Sequence, residues 1–167
     1  MEPLIPRLAD SRDVSAITEL INSAFQKESF FKKGDRIDEA GVREKIDAGA
    51  MYVADEDGEI AACVYIDIAD PKNGEVLAQG DGAGYIGLLA VDPAQQGRGL
   101  GRGMMRFAEE ELRRRGCTRA QLRIIHLRTE LLAFYGGQGY RETGTSPYPF
   151  PDKLSQPVHF VKMEKTL

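Results

Sequence analysis

Apolar positions change their period several times along the chain, and each change marks an element. Val14, Ile17, Ile21 and Ala24 recur at helical spacing. They predict a first helix, capped at Asp10 with Asp13 three residues on, that runs to about Phe25. A short strand precedes it over residues 3–8. Residues 26–36 are polar and mixed except for Phe30 and Phe31, and read as a loop or broken helix. A second helix is predicted over 38–48, stopped by Gly49. A strand follows at 51–54, then a hairpin turn at Asp55, Glu56, Asp57 and Gly58. Ile60, Ala62, Val64, Ile66 and Ile68 then alternate with Ala61, Cys63, Tyr65 and Asp67, the pattern of a strand. Residues 71–84 read as a loop, and residues 85–91 as a strand buried on both faces.

Leu100, Met104, Phe107, Ala108 and Leu112 set the stripe of a third helix. It ends in Arg113, Arg114 and Arg115 before Gly116, positive charge and a glycine cap where a helix terminus favours both. A strand over 120–127, a helix over 129–138 and closing strands over 140–145 and 157–163 complete the order, with a Pro-rich loop over 146–156. The class is mixed α/β, in a single domain over residues 1–167, with no internal repeat or linker.

Composition narrows the field. No run of 18 apolar residues exists, so no membrane span is expected, and the first ten residues do not read as a signal peptide. Two cysteines, Cys63 and Cys117, and two distant histidines predict no metal site and a reducing, cytoplasmic setting. The net charge of −4 is unevenly spread. Residues 1–93 carry net −10, whereas residues 94–128 carry nine arginines against three glutamates. Arginine suits bidentate phosphate contact.

Within that basic block a buried strand ends, a Pro-punctuated turn follows, and Gly97, Gly99 and Gly101 open a helix. The first N–H groups of a helix lack internal partners and face the positive end of its dipole. Glycines there let an anion approach the backbone, and a pyrophosphate is the natural guest. The loop has no Lys for a Walker motif, and no register of its glycines fits the dinucleotide fingerprint.

The segment Gln96-Gly97-Arg98-Gly99-Leu100-Gly101 resembles the Q/R-x-x-G-x-G/A pyrophosphate loop of the GNAT superfamily of acyl-CoA-dependent N-acyltransferases. The preceding Leu-Ala-Val-Asp-Pro looks like that family's fourth strand and turn, and Tyr135 to Tyr140 resembles its Y-x-x-x-G-F signature, with Tyr140 in place of Phe. The likeness is best over residues 85–144. It implies a mixed sheet of about seven strands flanked by about four helices, with splayed fourth and fifth strands. It also implies acetyl transfer from acetyl-CoA to a primary amine in a ternary complex, with no metal. By position, the backbone of Leu89, Ala90 and Val91 would pair with the pantetheine arm. Gln96, Gly97, Arg98, Gly99, Leu100, Gly101 and Arg102 would hold the pyrophosphate. Tyr135 would protonate the departing thiolate, and a strand N–H near Leu89 would stabilise the oxyanion.

Two departures from the family stand out. Thr129 replaces an Asn six residues before the tyrosine, and Gly84, Tyr85 and Gly87 stand where many relatives carry an acidic base. Asp67, Asp81, Glu130 and His126 are the remaining base candidates, although a lone strand histidine is more often structural. Phe30 and Phe31 either line the acceptor pocket or pin their loop to the core. Cys117 reads as packing and His159 as structural. The competing reading is a non-catalytic acyl-CoA-binding domain on the same fold. Nucleic-acid binding is disfavoured, because the chain is acidic and no aromatics interleave with the arginines. The acceptor is a small-molecule or peptide amine, and the −10 of residues 1–93 points to cationic ones such as polyamines, aminoglycosides or lysine side chains. A homodimer remains open.

Overall fold

In the computed structural model, which describes residues 4–68, 78 and 80–167, the alternating and apolar runs build one seven-stranded sheet. Its strands are β1 (Arg7–Leu8), β2 (Met51–Glu56), β3 (Glu59–Ile68), β4 (Ala83–Val91), β5 (Arg119–Ile125), β6 (Arg141–Pro147) and β7 (His159–Thr166). They lie in the order β1-β2-β3-β4-β5-β7-β6. Neighbours run antiparallel except β4 and β5, which are parallel. Four helices cover the sheet: α1 (Val14–Ala24), α2 (Glu39–Asp47), α3 (Leu100–Arg114) and α4 (Thr129–Gly136).

The helical stripes meet opposite faces. Met104, Met105, Ala108 and Leu112 of α3 pack with Ala62, Val64, Ile66 and Ile86. Ile17, Leu20 and Ile21 of α1 and Val42 of α2 pack with Val53, Cys63, Leu88 and Ala90. Each such apolar side chain contributes about 1.5–3 kcal/mol on full burial. Gly84 sets how closely α3 approaches the sheet, since a Cβ there would lie 2.3 Å from Leu112 Cδ2. The chain enters α1 through a 3₁₀ turn (Ser11–Asp13) held by reciprocal caps. The Asp10 carboxylate accepts from the Arg12 N–H at 2.9 Å, and that of Asp13 accepts from the Asp10 N–H at 2.8 Å.

Several bounds differ from expectation for identifiable reasons. Residues 1–3, 69–77 and 79 lie outside the described residues, which takes in the first residue of the strand expected at 3–8 and much of the loop expected at 71–84. β4 starts two residues early, because Ala83 and Gly84 are too small to signal a strand yet pair with Arg119 and Ala120. β7 begins at His159 and runs to Thr166, since β5 and β6 flank it on both sides and supply partners for polar residues too.

One irregularity shapes everything downstream. Cys63 pairs with Ala90 but Tyr65 pairs with Gly87, so Leu88 and Leu89 together oppose Val64. Leu88 takes φ +50°, the left-handed region that a leucine rarely adopts, and this makes a β-bulge in mid-strand. Its carbonyl accepts from the Cys63 thiol at 3.5 Å. Ladder pairing between β4 and β5 covers Ala83 to Tyr85 against Arg119 to Gln121 and goes no further. Beyond that point the two strands diverge.

Candidate active site

Where β4 and β5 part, a cavity of about 630 Å³ opens. Its walls include β4 from Tyr85 to Val91 and β5 from Leu122 to Ile125. Backbone groups on these facing edges have no ladder partner in the sheet. An unpaired strand edge in a cavity can bind an extended, amide-bearing arm as a neighbouring strand would.

At one end of the gap stands the start of α3. The turn after β4 is a 3₁₀ segment (Pro93–Gln95) in which the Asp92 carboxylate accepts from the Ala94 N–H at 2.9 Å. Gly97 and Gly99 then adopt φ +84° and +80°, and Gly99 caps α3 without a side-chain bond. The first intrahelical bond runs from the Gly103 N–H to the Gly99 carbonyl at 3.0 Å. The N–H groups of Leu100, Gly101 and Arg102 are therefore left over at the positive end of the helix. All three residues line the cavity, as do Gln96, Gly97 and Gly99. Arg98 does not. Its guanidinium pairs with Glu56 at 2.8 Å and bonds to Gln95, which does line the cavity.

Tyr135 lines the cavity from α4. The side chain is buried, and its ring meets Phe134 and Tyr140 edge-on. Among the described residues its hydroxyl has no hydrogen-bond partner. Burial raises its pKa well above the ordinary tyrosine value, Tyr85 adds to the rise, and Arg128 opposes it. The group is thus a neutral O–H donor across the neutral and alkaline range. The neighbouring Tyr140 is buried too, but its hydroxyl donates to Glu109 Oε2 at 2.8 Å, and that carboxylate is paired with Lys165 at 3.0 Å. This satisfied pair accounts for a tyrosine where the signature has phenylalanine.

The other end of the cavity is closed by two loops laced together. The Lys33 N–H donates to the Lys153 carbonyl at 2.9 Å, and the Ser155 N–H to the Phe31 carbonyl at 2.8 Å. Phe31 is fully buried with Ile125 and Phe160, and Phe30 stands exposed against it. Neither lines the cavity, so this aromatic pair pins the loop. Phe25, Tyr148, Phe150 and Phe160 supply the apolar lining instead.

The base candidates separate cleanly. Asp67, Asp81 and His126 lie outside the cavity wall. The His126 ring stacks on His159 at 4.0 Å, and its Nδ1 accepts from the His159 N–H at 3.2 Å, a structural role. Glu130 lines the cavity but is exposed and bonded to Arg128. Sequence reasoning missed Glu28, a buried carboxylate on the 3₁₀ turn after α1 (Phe25–Glu28). Burial raises its pKa, against Arg128, whose Nη1 lies 3.0 Å from its Oε2. Nothing in the spacing of a polar loop marks such a residue. Burial also pushes the Cys63 thiol up to about 12, and it raises that of Cys117. Neither cysteine lines the cavity. Among the described residues no group of three His, Cys, Asp or Glu side chains could hold a metal, and no helix is long and apolar enough to cross a membrane.

Comparison with known proteins gives a consistent picture. The family model described as "Acetyltransferase (GNAT) family" matches residues 14–140. A mycothiol acetyltransferase from Beutenbergia cavernae is 33% identical over 86 residues, 52% of this chain and 26% of that protein. The chain thus spans about a quarter of that relative's length. Among solved structures, a ribosomal-protein-alanine N-acetyltransferase from Brucella melitensis superposes with a TM-score of 0.75 at 20% identity, covering 98% of this chain and 100% of that one. The protein yncA from Salmonella typhimurium, solved with its cofactor acetyl-CoA, gives 0.74 at 21%, covering 99% and 95%.

Proposed function

Since the chain belongs to the acetyltransferase (GNAT) family, we propose that it moves an acetyl group from acetyl-CoA directly onto a primary amine of a small molecule or peptide, within a ternary complex. The observation that carries this reading is the Tyr135 hydroxyl, on a buried side chain, neutral and with no partner among the described residues, in the same cavity as the free N–H groups of α3. The residues fit acetyl-CoA. The turn from Gln96 to Arg102 offers backbone donors to a pyrophosphate, and the open edge of Leu89, Ala90 and Val91 suits the amides of the pantetheine arm. Acetyl-CoA supplies an activated thioester when bound.

In the transfer, the neutral amine's lone pair forms the C–N bond, the C–S bond breaks with its electron pair leaving on sulfur, and the nitrogen sheds its surplus proton to water, which returns one to Tyr135 after it has protonated the sulfur. Tyr135 meets that sulfur with its proton. Even an ordinary tyrosine is a weaker acid than a thiol by about 1.5 pKa units, or ~2 kcal/mol. Burial at Tyr135 widens the gap. The hydroxyl therefore acts as a hydrogen-bond donor whose proton shifts late. The oxyanion lies against strand N–H groups that the Leu88 bulge turns away from the β3 ladder. Both carboxylates in the cavity wall, Glu28 and Glu130, are held by Arg128. The acceptor ammonium must then lose its proton to water, which costs ~1 kcal/mol for an α-amine at pH 7 but ~4.6 for a lysine side chain. That favours α-amines.

Direct transfer is supported by the two cysteines, both away from the cavity and both less acidic than a free thiol. Initial-velocity measurements with acetyl-CoA and a panel of amines test it. Intersecting double-reciprocal lines are expected, and parallel lines would mean a covalent acetyl-enzyme instead. CoA binding without turnover of any amine would favour a non-catalytic acyl-CoA-binding role.

A further inference from the structure

The acidic excess of residues 1–93 does not reach the cavity. Of the charged side chains in its wall, Lys27, Arg36, Arg102, Arg123 and Arg128 are cationic, and only Glu28 and Glu130 are anionic. Arg102 belongs to the start of α3, at the pyrophosphate end. At the opposite end both carboxylates are taken up by Arg128. Lys27 acts on Glu130, which leaves Arg36 and Arg123. Among the described residues neither has a carboxylate within 4.0 Å. Both lie over aromatic rings: Arg36 is 5.5 Å from the Phe25 ring centre, and Arg123 is 4.4 Å from that of Phe160. Glu28 bears on Arg36 at longer range, but both guanidiniums keep donor groups without a carboxylate in contact, and in a partly closed cavity these favour an anion.

The two guanidiniums reach the cavity from different elements, Arg36 from the loop after α1 and Arg123 from β5, and the Tyr85 side chain lies within the field of both. Both act on the buried Tyr85 hydroxyl, offsetting the burial that raises its pKa. Tyr85 in turn is close enough to Tyr135 to raise the latter's pKa. This positive charge, opposed at Tyr85 by Asp67, sits one side chain away from the proposed proton donor. A short acceptor could place its amine near Tyr135 and an anionic group between Arg36 and Arg123.

Resting on the acetyl-transfer reading above, we propose that the acceptor is a small amine carrying its own anion close to the amine, of the α-amino acid class, with its carboxylate bound between Arg36 and Arg123. The aromatic lining of Phe25, Tyr148 and Phe160 then receives an apolar side chain. Polyamines, aminoglycosides and lysine side chains, which the acidic half of the sequence pointed to, would meet like charge at this end.

Matched acceptors test the proposal. L-Phenylalanine, L-phenylalaninamide and phenethylamine share a ring and an amine, but only the first carries a carboxylate; L-methionine and its amide form a second set. The amide also mimics a peptide N-terminus. Its amine is the weaker base, so a preference for the acid would run against intrinsic reactivity. At saturating acetyl-CoA, kcat/KM for the acid should exceed that for its amide by about tenfold to a hundredfold, the range of a charge-assisted hydrogen bond. In Arg36→Met and Arg123→Met that ratio should fall toward one, with CoA affinity reporting that the fold is intact. An amide or decarboxylated amine used as well as the acid would overturn the proposal while leaving acetyl transfer standing. So would an acid preference that survives in the double variant. If no amine is acetylated, acetyl transfer itself fails, and calorimetry of L-phenylalanine against its amide on the CoA-bound protein decides the anion site. Tighter acid binding lost in Arg123→Met supports the site, and equal binding overturns it.

Discussion

Arg128 Nη1 lies 3.0 Å from Glu28 Oε2, joining two residues 100 positions apart with both side chains almost wholly buried. The pair ties the start of α4, which carries Tyr135, to the 3₁₀ turn after α1, and so holds the two walls of the cavity in register. Its energetics are asymmetric. A buried pair gives little net stability over apolar residues of the same size, but removing one partner strands a buried charge.

Glu28→Leu alone should therefore cost about 3–5 kcal/mol, a large share of the ~5–15 kcal/mol that holds a typical domain folded. Glu130 is exposed and compensates little. The double variant Glu28→Leu with Arg128→Met should recover most of the loss. Urea unfolding measures both, and a double variant no more stable than Glu28→Leu would show that the charges are not what couples the loop to α4.

The glycines of the loop should separate into two kinds. Gly99 has open space around it but φ +80°, so a Cβ there is strained whatever the room. Gly99→Ala should cost about 1–2 kcal/mol of local stability and raise the KM for acetyl-CoA. Gly101 is helical, and a Cβ would meet Phe134 Cζ at 3.5 Å and Val91 Cγ2 at 3.8 Å, ordinary contact. Gly101→Ala should leave Tm unchanged or slightly raised, since alanine is the better helix former by ~1 kcal/mol. Gly101→Val should then weaken CoA binding by bulk alone. Unchanged CoA affinity in that variant would remove the pyrophosphate from this turn.

Much of this site was legible in the chain. The Gln96 to Arg102 turn and the strand before it are contiguous in sequence, so a local motif dictates their geometry through φ and helix ends, and Tyr135 follows one helix and one strand later in a second short motif. The acceptor end was not legible. Glu28, Arg36, Arg123 and Arg128 come from four separate segments, and each looks like a solvated surface charge until the fold turns two of them inward. Net charge over residues 1–93 says little about the cavity for the same reason, because it averages over side chains that face water. The Leu88 bulge was hidden as well, since its φ of +50° falls on a residue with no turn propensity inside an apolar run.

Asp13 offers a test of the frame beneath the site. Hydrogen bonds from Arg7, at 2.8 and 3.0 Å, hold its carboxyl below the ordinary aspartate range, although burial works the other way. A carboxyl with a lowered folded-state pKa stabilises the protein above its unfolded pKa of ~3.9, and that stability is lost as pH falls through the folded value. Asp13→Asn should therefore lower stability by roughly 1–2 kcal/mol at pH 7, discounted because Arg7 is partly exposed. The gap between variant and wild type should close as pH drops below 4. Tm measured from pH 2.5 to 7 reports it, and a deficit independent of pH would assign the effect to the N-terminal cap alone.

Tyr135→Phe removes one hydroxyl and keeps the ring that packs against Phe134 and Tyr140. That hydroxyl has no partner among the described residues, so no protein hydrogen bond is broken and the fold should persist with near-normal Tm. If the hydroxyl meets the leaving sulfur, its loss acts in the transition state. Both kcat and kcat/KM should then fall together, by roughly 10²–10⁴-fold, while CoA affinity changes little. Burial adds a second signature. Because the pKa of Tyr135 lies above the ordinary value of 10, its proton stays in place throughout the accessible range. The ratio of wild-type to variant kcat should therefore stay constant from pH 6 to about 10, whereas a tyrosine titrating at its ordinary value would let the ratio shrink toward the alkaline end. The rising limb of kcat/KM reports deprotonation of the acceptor amine and should be shared by both proteins. Steady-state kinetics across that range, with CoA affinity and Tm on the same preparations, decide the matter. A variant within about threefold of wild type, below the general-acid range, would assign thiolate protonation to water.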